Sequence, residues 1–151
     1  MAWKLAQLNV ARLAAPIDSP QLADFVANLD RINALADEAP GFVWRYVSVE
    51  GDTTESELFG NDMLVNLSVW ENLEALRSYV YNEGHLEIMR RRKEWFLHTT
   101  EAYMTLWWIP EGHTPTLAEA RARLAMLRGS GPSEQAFSFK SAFPAPAGEA
   151  P

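Results

Sequence analysis

The sequence contains no cysteine, which removes disulfides, thiolate-bound metals, iron–sulfur clusters and a cysteine nucleophile from consideration. No apolar run approaches the ~18 residues that a membrane-spanning helix needs. Positive charge is scarce: 13 Lys and Arg stand against 20 Asp and Glu, for a net charge of −7, a poor start for gripping a phosphate backbone. Glycine-rich phosphate loops, nucleophile elbows, HExxH and zinc-type histidine–carboxylate spacings are missing. Kinase, dinucleotide and hydrolase chemistry therefore has no foothold, and neither nucleic acid nor membrane is expected as a partner. Asn9 and Arg12 fall where a secretion signal would carry its apolar stretch, and with the missing cysteine this points to the cytoplasm.

What the chain does have is the balance of a folded globule. Hydrophobic residues make up 48% of its 151 and charged residues 22%, enough for one core and too little length for two. Residues 3–10 read as a strand. Ser19 and Pro20 then start a helix that Pro40-Gly41 stops. Residues 42–49 and 63–70 read as strands around an acidic, turn-rich connection at 50–62. A short helix carries Leu73, Leu76 and Val80, Gly84 breaks it, and a longer helix covers 85–99. A strand at 103–109 and a helix opened by the capping box of Thr116 and Glu119 follow. The order βαββαβ predicts an α+β, ferredoxin-like domain, an antiparallel sheet with helices on one face. Residues 1–128 form this domain, and 129–151 form a C-terminal extension, with AFSFKSAF at 136–143 docked on the body or a neighbour and the end from 144 onward frayed. Met63, Val65, Leu67 and Val69 make the second sheet face apolar, so a second copy of the chain is expected to cover it, giving a homodimeric α/β barrel.

The candidate site comes from the segment 85–99. On a helical wheel Ile88, Met89, Trp95, Phe96 and Thr99 share one stripe, and Arg92 falls in its middle with His85 two turns earlier. Arg92 is then either a buried ion-pair partner or a fixed cation that orients a carboxylate, phenolate or enolate. His85 is either a helix-start histidine bonded to nearby backbone, an acid–base group, or an iron ligand. His98 falls on the solvated side and His113 in a turn. Alternation in 63–70 puts Asn66, Ser68 and Trp70 on one face. Arg45 adds a charge nearby, and Gln7 and Asn9 share a face of the first strand. Such a mixture suits a cavity with apolar walls and a few fixed polar groups.

The stretches LAQLNVARL, NLSVWENLEALRSYVY, HLEIMRRRKEWF and LWWIPEGHTPTLAEA resemble the bacterial domain-of-unknown-function family DUF3291, of the dimeric α/β-barrel superfamily, over residues 5–128 and the AFSFKSAF tail. In strand order, and in an Asn followed four residues on by Trp (Asn66 and Trp70), the chain is also similar to antibiotic-biosynthesis monooxygenases. That resemblance implies oxidation of a polycyclic phenol by oxygen without a metal. The pattern around WENLEALRSYVYNEGH resembles the spheroidene monooxygenase group, which implies haem with His85 as the iron ligand. Together these lead to one main expectation: a small-molecule, monooxygenase-like oxidoreductase acting on a hydrophobic or aromatic substrate between sheet and helix. His85, Arg92 and Asn66 are its catalytic groups. Trp70, Trp95, Phe96, Met89, Ser68 and Arg45 bind the substrate, and the cofactor is haem on His85 or none. The alternatives are a non-catalytic small-molecule binding dimer and a non-redox lyase, isomerase or cyclase using the same pocket.

Overall fold

Along the first strand, β1 (Trp3–Arg12), Ala6, Leu8 and Val10 point to one face and Leu5, Gln7 and Asn9 to the other. A strand that is apolar on both sides belongs in the middle of a sheet covered twice. The computed structural model, which describes residues 2–150, puts it there. Its four strands are antiparallel in the order β2-β3-β1-β4, with β2 at Phe42–Arg45, β3 at Met63–Trp70 and β4 at Met104–Pro110. The crossovers are α1 (Ala23–Glu38) and α3 (Leu73–Val80), which completes the ferredoxin-like arrangement. Ala36 of α1 and Leu76 of α3 pack with Leu5, Trp70 and Leu106 on one sheet face. Among the described residues, no helix is long and apolar enough to cross a membrane.

The opposite face departs from the expectation. α6 (Leu117–Ser130) lays Leu117, Ala120 and Leu124 on Leu8, Leu67, Val69 and Trp107, while α2 (Thr54–Phe59) adds Leu58 and Phe59. This chain's own helices thus supply the cover that sequence alone assigned to a second copy, and helices lie on both faces of the sheet. α2 forms inside the acidic connection because Asp52 Oδ1 accepts the Thr54 backbone N–H at 2.9 Å and its hydroxyl at 2.7 Å. Those two bonds hold the Asp52 carboxyl below its ordinary range. β2 stops at Arg45 instead of 49: its pairing with β3 shifts register between Phe42 and Trp44, and Val47 and Val49 beyond it are exposed.

The helix expected at 85–99 is broken. α4 (Glu83–Met89) and α5 (Arg92–Trp95) are separate, and Phe96 is extended, bridging to Leu13. Gly84 lies inside α4, whose cap is Asn82. No Gly or Pro marks the break; its origin is tertiary. Arg91 bonds both Asp24 of α1 and Glu94 at 2.8 Å, and the adjacent Trp95 and Phe96 rings both pack on Phe25, at 5.3 and 5.1 Å. The AFSFKSAF segment docks on its own chain. Phe137 is fully buried and exchanges backbone hydrogen bonds with Leu106 of β4, and the Trp108 indole donates to the Phe143 carbonyl at 3.0 Å. Beyond it, residues 144–149 are exposed and outside any helix or strand, and Ala150 is buried; Met1 and Pro151 lie outside the described residues.

Candidate active site

Register assembles a polar cluster that no short motif encodes. β1 and β3 pair Gln7 with Ser68 and Asn9 with Asn66, so the side chains meet on the face toward α1 and α3. Gln7 is 3% and Ser68 5% exposed, and burial makes each of their hydrogen bonds obligatory. The Trp70 indole, a donor only, gives its N–H to Ser68 Oγ at 2.9 Å. Gln7 Nε2 donates to Ser68 Oγ at 2.9 Å and to Asn66 Oδ1 at 2.7 Å, and Gln7 Oε1 accepts from Asn9 Nδ2 at 3.0 Å. With Oδ1 held inward by Gln7, the Asn66 amide nitrogen is left as an outward donor. Asn66 is exposed, because the short β2 ends before reaching it.

His85 lies elsewhere, at the elbow between α3 and α4. Its Nδ1 is 2.9 Å from the Val80 carbonyl, which can only accept, so Nδ1 carries the proton and Nε2 is an acceptor in the neutral ring. Burial pushes the imidazole below its ordinary 6.5, partly offset by the Val80 bond. Since protonation favours the unfolded chain, stability falls as pH drops below that value. The Tyr79 ring lies 5.0 Å from His85 on one side and stacks on Trp70 at 5.1 Å on the other. A haem iron on His85 needs an open flank beside the imidazole. Here Tyr79 lies beside the ring and the Val80 carbonyl takes Nδ1, and neither of two cavities, one facing Arg92 and one beside Trp108, is lined by His85. Neither cavity therefore places a haem on His85. Burial also raises the Tyr79 phenol to about 12, from an ordinary 10.0, with the nearby Asp37 charge adding to it. Spectrophotometric titration should therefore show one tyrosine ionising late, and Tyr79→Phe should remove that step. The unfolded chain ionises first, so stability should be lost between about pH 10 and 12.

The remaining candidates do not join this cluster. Trp70 and Trp95 are each 1% exposed: they are core, and the pocket between sheet and helix that they were expected to wall is filled by packed side chains. Trp95 packs with Leu22, Phe25 and Ile88, and Phe96 lies beside them. Met89 ends α4 at the surface. Arg45 is held by Asp37, through Nε at 2.7 Å and Nη2 at 3.3 Å, and this pairing raises the pKa of its guanidinium. Arg92 faces a cavity of about 320 Å³ on the α6 side of the sheet, because the helix break rotates it away from His85. A second cavity, of about 340 Å³, opens between the tail and α3 beside Trp108. Sequence reasoning placed Gln7 and Asn9 on a common face but gave them no role; their signal was a pair of carboxamides alternating along an otherwise apolar strand. Among the described residues no cluster of three His, Asp or Glu side chains could hold a metal ion.

The sequence model of DUF3291, a domain of unknown function, matches residues 4–151. The chain belongs to the DUF3291 family. No curated protein matches it in sequence. In structure, the DUF3291 chain is similar to SnoaB, a cofactor-independent oxygenase from Streptomyces nogalater, at 20% identity and a TM-score of 0.50, covering 77% of this chain and 98% of that one. It is also similar to a Nitrosomonas europaea protein of unknown function, at 12% identity and a TM-score of 0.52, covering 76% and 96%. A conserved Methanosarcina mazei protein gives 14% identity and a TM-score of 0.51, covering 69% and 90%. These likenesses establish the ferredoxin-like fold for the DUF3291 chain.

Proposed function

We propose that this DUF3291 chain is a monooxygenase-like enzyme that oxidises an electron-rich hydroxyarene or enol with molecular oxygen, using Asn66 as the donor that stabilises the substrate oxyanion. One observation carries this: Gln7, anchored through Ser68 and Trp70, fixes the Asn66 amide so that its nitrogen faces out at an exposed point of an otherwise buried network. A preoriented donor at a developing oxyanion lowers a barrier by about 3–4 kcal/mol without reorganising during the reaction. The similarity to a cofactor-independent oxygenase supports the same chemistry.

The residues in the network also restrict the substrate. Gln7, Asn9, Asn66, Ser68 and Trp70 hold no general base, so the substrate has to arrive as an anion near neutral pH. For an acidic methylene flanked by aromatic rings, the carbanion–enolate adds oxygen to form a hydroperoxide after protonation. Loss of water then leaves a ketone. In balance, one oxygen atom of the dioxygen becomes the ketone oxygen, and the other leaves as water with the two methylene hydrogens. Asn66 holds the enolate oxygen throughout, and Trp70 keeps the network in place from behind.

An oxygen electrode with dithranol, an anthrone whose anion forms readily, tests this. Oxygen uptake should exceed the protein-free rate and match quinone formation one to one. Asn66→Ala should lower kcat/KM by about 10²-fold in a protein that still folds, with stability lowered only by the loss of one acceptor for the buried Gln7 amide, about 1–3 kcal/mol. Uptake no faster than without protein, or equal in Asn66→Ala, overturns the proposal.

A further inference from the structure

In a chain with a net charge of −7, the 320 Å³ cavity on the α6 side is a local inversion. Four guanidinium groups line it, those of Arg12, Arg92, Arg121 and Arg128, against the single carboxylate of Glu101. Two of the four are already engaged. Arg12 pairs with Asp62, and Arg128 donates to the Ala102 carbonyl at 2.7 Å and lies 3.6 Å from Glu101. Arg92 and Arg121 have no carboxylate partner among the described residues, although the sequence carries 20 acidic side chains. Arg92 is half-buried, and its guanidinium lies over the Tyr103 ring at 4.9 Å. Stacking of this kind fixes the plane of the group while leaving its in-plane N–H donors unspent. Val10, Leu58, Phe59, Met63, Leu97 and Leu124 supply an apolar wall, and His98 and Thr99 add polar groups to the lining.

An oriented, uncompensated guanidinium beside an apolar wall is what a carboxylate on a hydrophobic body needs. We infer that this cavity binds an apolar monocarboxylate, its acid group held by Arg92 and Arg121 and its body laid against Phe59 and Met63. The volume, at the low end of those for small-molecule sites, suits a medium-chain fatty acid or an arylalkanoic acid. A bulky polyanion does not fit, because only two of the four cations are free. The site lies on the opposite face of the sheet from Asn66 and is independent of the oxygenase proposal.

Calorimetric titration of the full chain with decanoate, decanol and inorganic phosphate tests the inference. Decanoate should bind one to one, with affinity falling as salt is raised, while decanol and phosphate should each bind at least 10-fold more weakly. Arg92→Gln should weaken decanoate binding about 10-fold or more, as loss of a charge-assisted bond does. Arg121→Glu, at an exposed helix position without an ion-pair partner among the described residues, keeps the test decisive should Arg92→Gln fold poorly, and it should abolish binding. Absence of decanoate binding, binding indifferent to Arg121→Glu, or phosphate binding as tightly as decanoate each overturns the inference. The last of these would reduce the site to a surface anion patch.

Discussion

Trp95→Ala should lower the unfolding free energy by about 3–5 kcal/mol, the range for deleting a fully buried aromatic side chain. The indole is 1% exposed and touches Phe25 and Phe96. The Arg91 guanidinium lies 4.8 Å from its centre, and the Ala14 N–H is bonded to the Trp95 carbonyl at 2.8 Å. The side chain thus joins α5 to α1, while the backbone bond to Ala14 ties α5 to the segment that follows β1. Equilibrium urea unfolding measures the loss directly. A residue that merely walled a ligand pocket would give the opposite pattern, a fold losing less than about 1 kcal/mol and a weakened ligand. That result would reopen the pocket between sheet and helix.

Gln7→Glu exchanges one atom and should reverse the polarity of the whole cluster. The new carboxylate, at a position only 3% exposed, can accept but not donate. It therefore faces Asn66 Oδ1, which now receives a Gln7 N–H bond at 2.7 Å, with the wrong sign, whereas Ser68 Oγ, now an acceptor at 2.9 Å, can turn its hydrogen to donate. The Asn66 amide relieves the clash by turning its nitrogen inward, which leaves an oxygen facing the substrate. Oxygenase turnover at pH 7 should drop by about 10²-fold or more, with stability lower by about 2–4 kcal/mol for the poorly satisfied buried carboxylate. Burial raises the pKa of this group above its unfolded value, so its neutral form is favoured in the folded chain. Stability should then return as pH falls and the carboxyl regains a proton to donate. Thermal melts at pH 5 and 7 together with oxygen uptake read both effects. An unchanged rate would mean that Gln7 does not orient Asn66.

The elements that sequence made legible are those with local signatures. Alternation located β1, β3 and β4, and Thr116 does cap α6, accepting the Glu119 N–H at 3.1 Å. The same capping box also shows where local rules stop: the Glu119 side chain does not turn back to Thr116 but takes the Trp107 indole at 2.9 Å and His113 at 2.7 Å. Asn66 and Trp70 stood out by spacing, yet the partner that makes them a unit, Gln7, is 59 residues from Asn66 and reaches it only through strand register. The reading of 85–99 failed for a matching reason. A helical wheel presumes one axis, and contacts with Phe25 and Asp24, far away in sequence, break that axis at Arg90–Arg91. Arg92, which sequence left open as a buried ion-pair partner or a fixed cation, has no carboxylate partner among the described residues and lines the cavity on the α6 side instead of the pocket expected beside His85. His85 turned out to be bonded to the backbone of the preceding helix.

The pairing of Phe137 with Leu106 bears on how this protein behaves in a crowded solution. β4 is a border strand of the sheet, and an uncovered border is a template on which another chain can add a strand and begin aggregating. The two backbone bonds to Phe137, and the aromatic side chains around it, occupy that template from within. At the other border β2 is only four residues long and irregular in register, too short to seed growth. A protease that nicked the loop after α6 would therefore do more than trim an appendage: it would expose an aromatic-lined ladder and convert a self-contained sheet into an adhesive one.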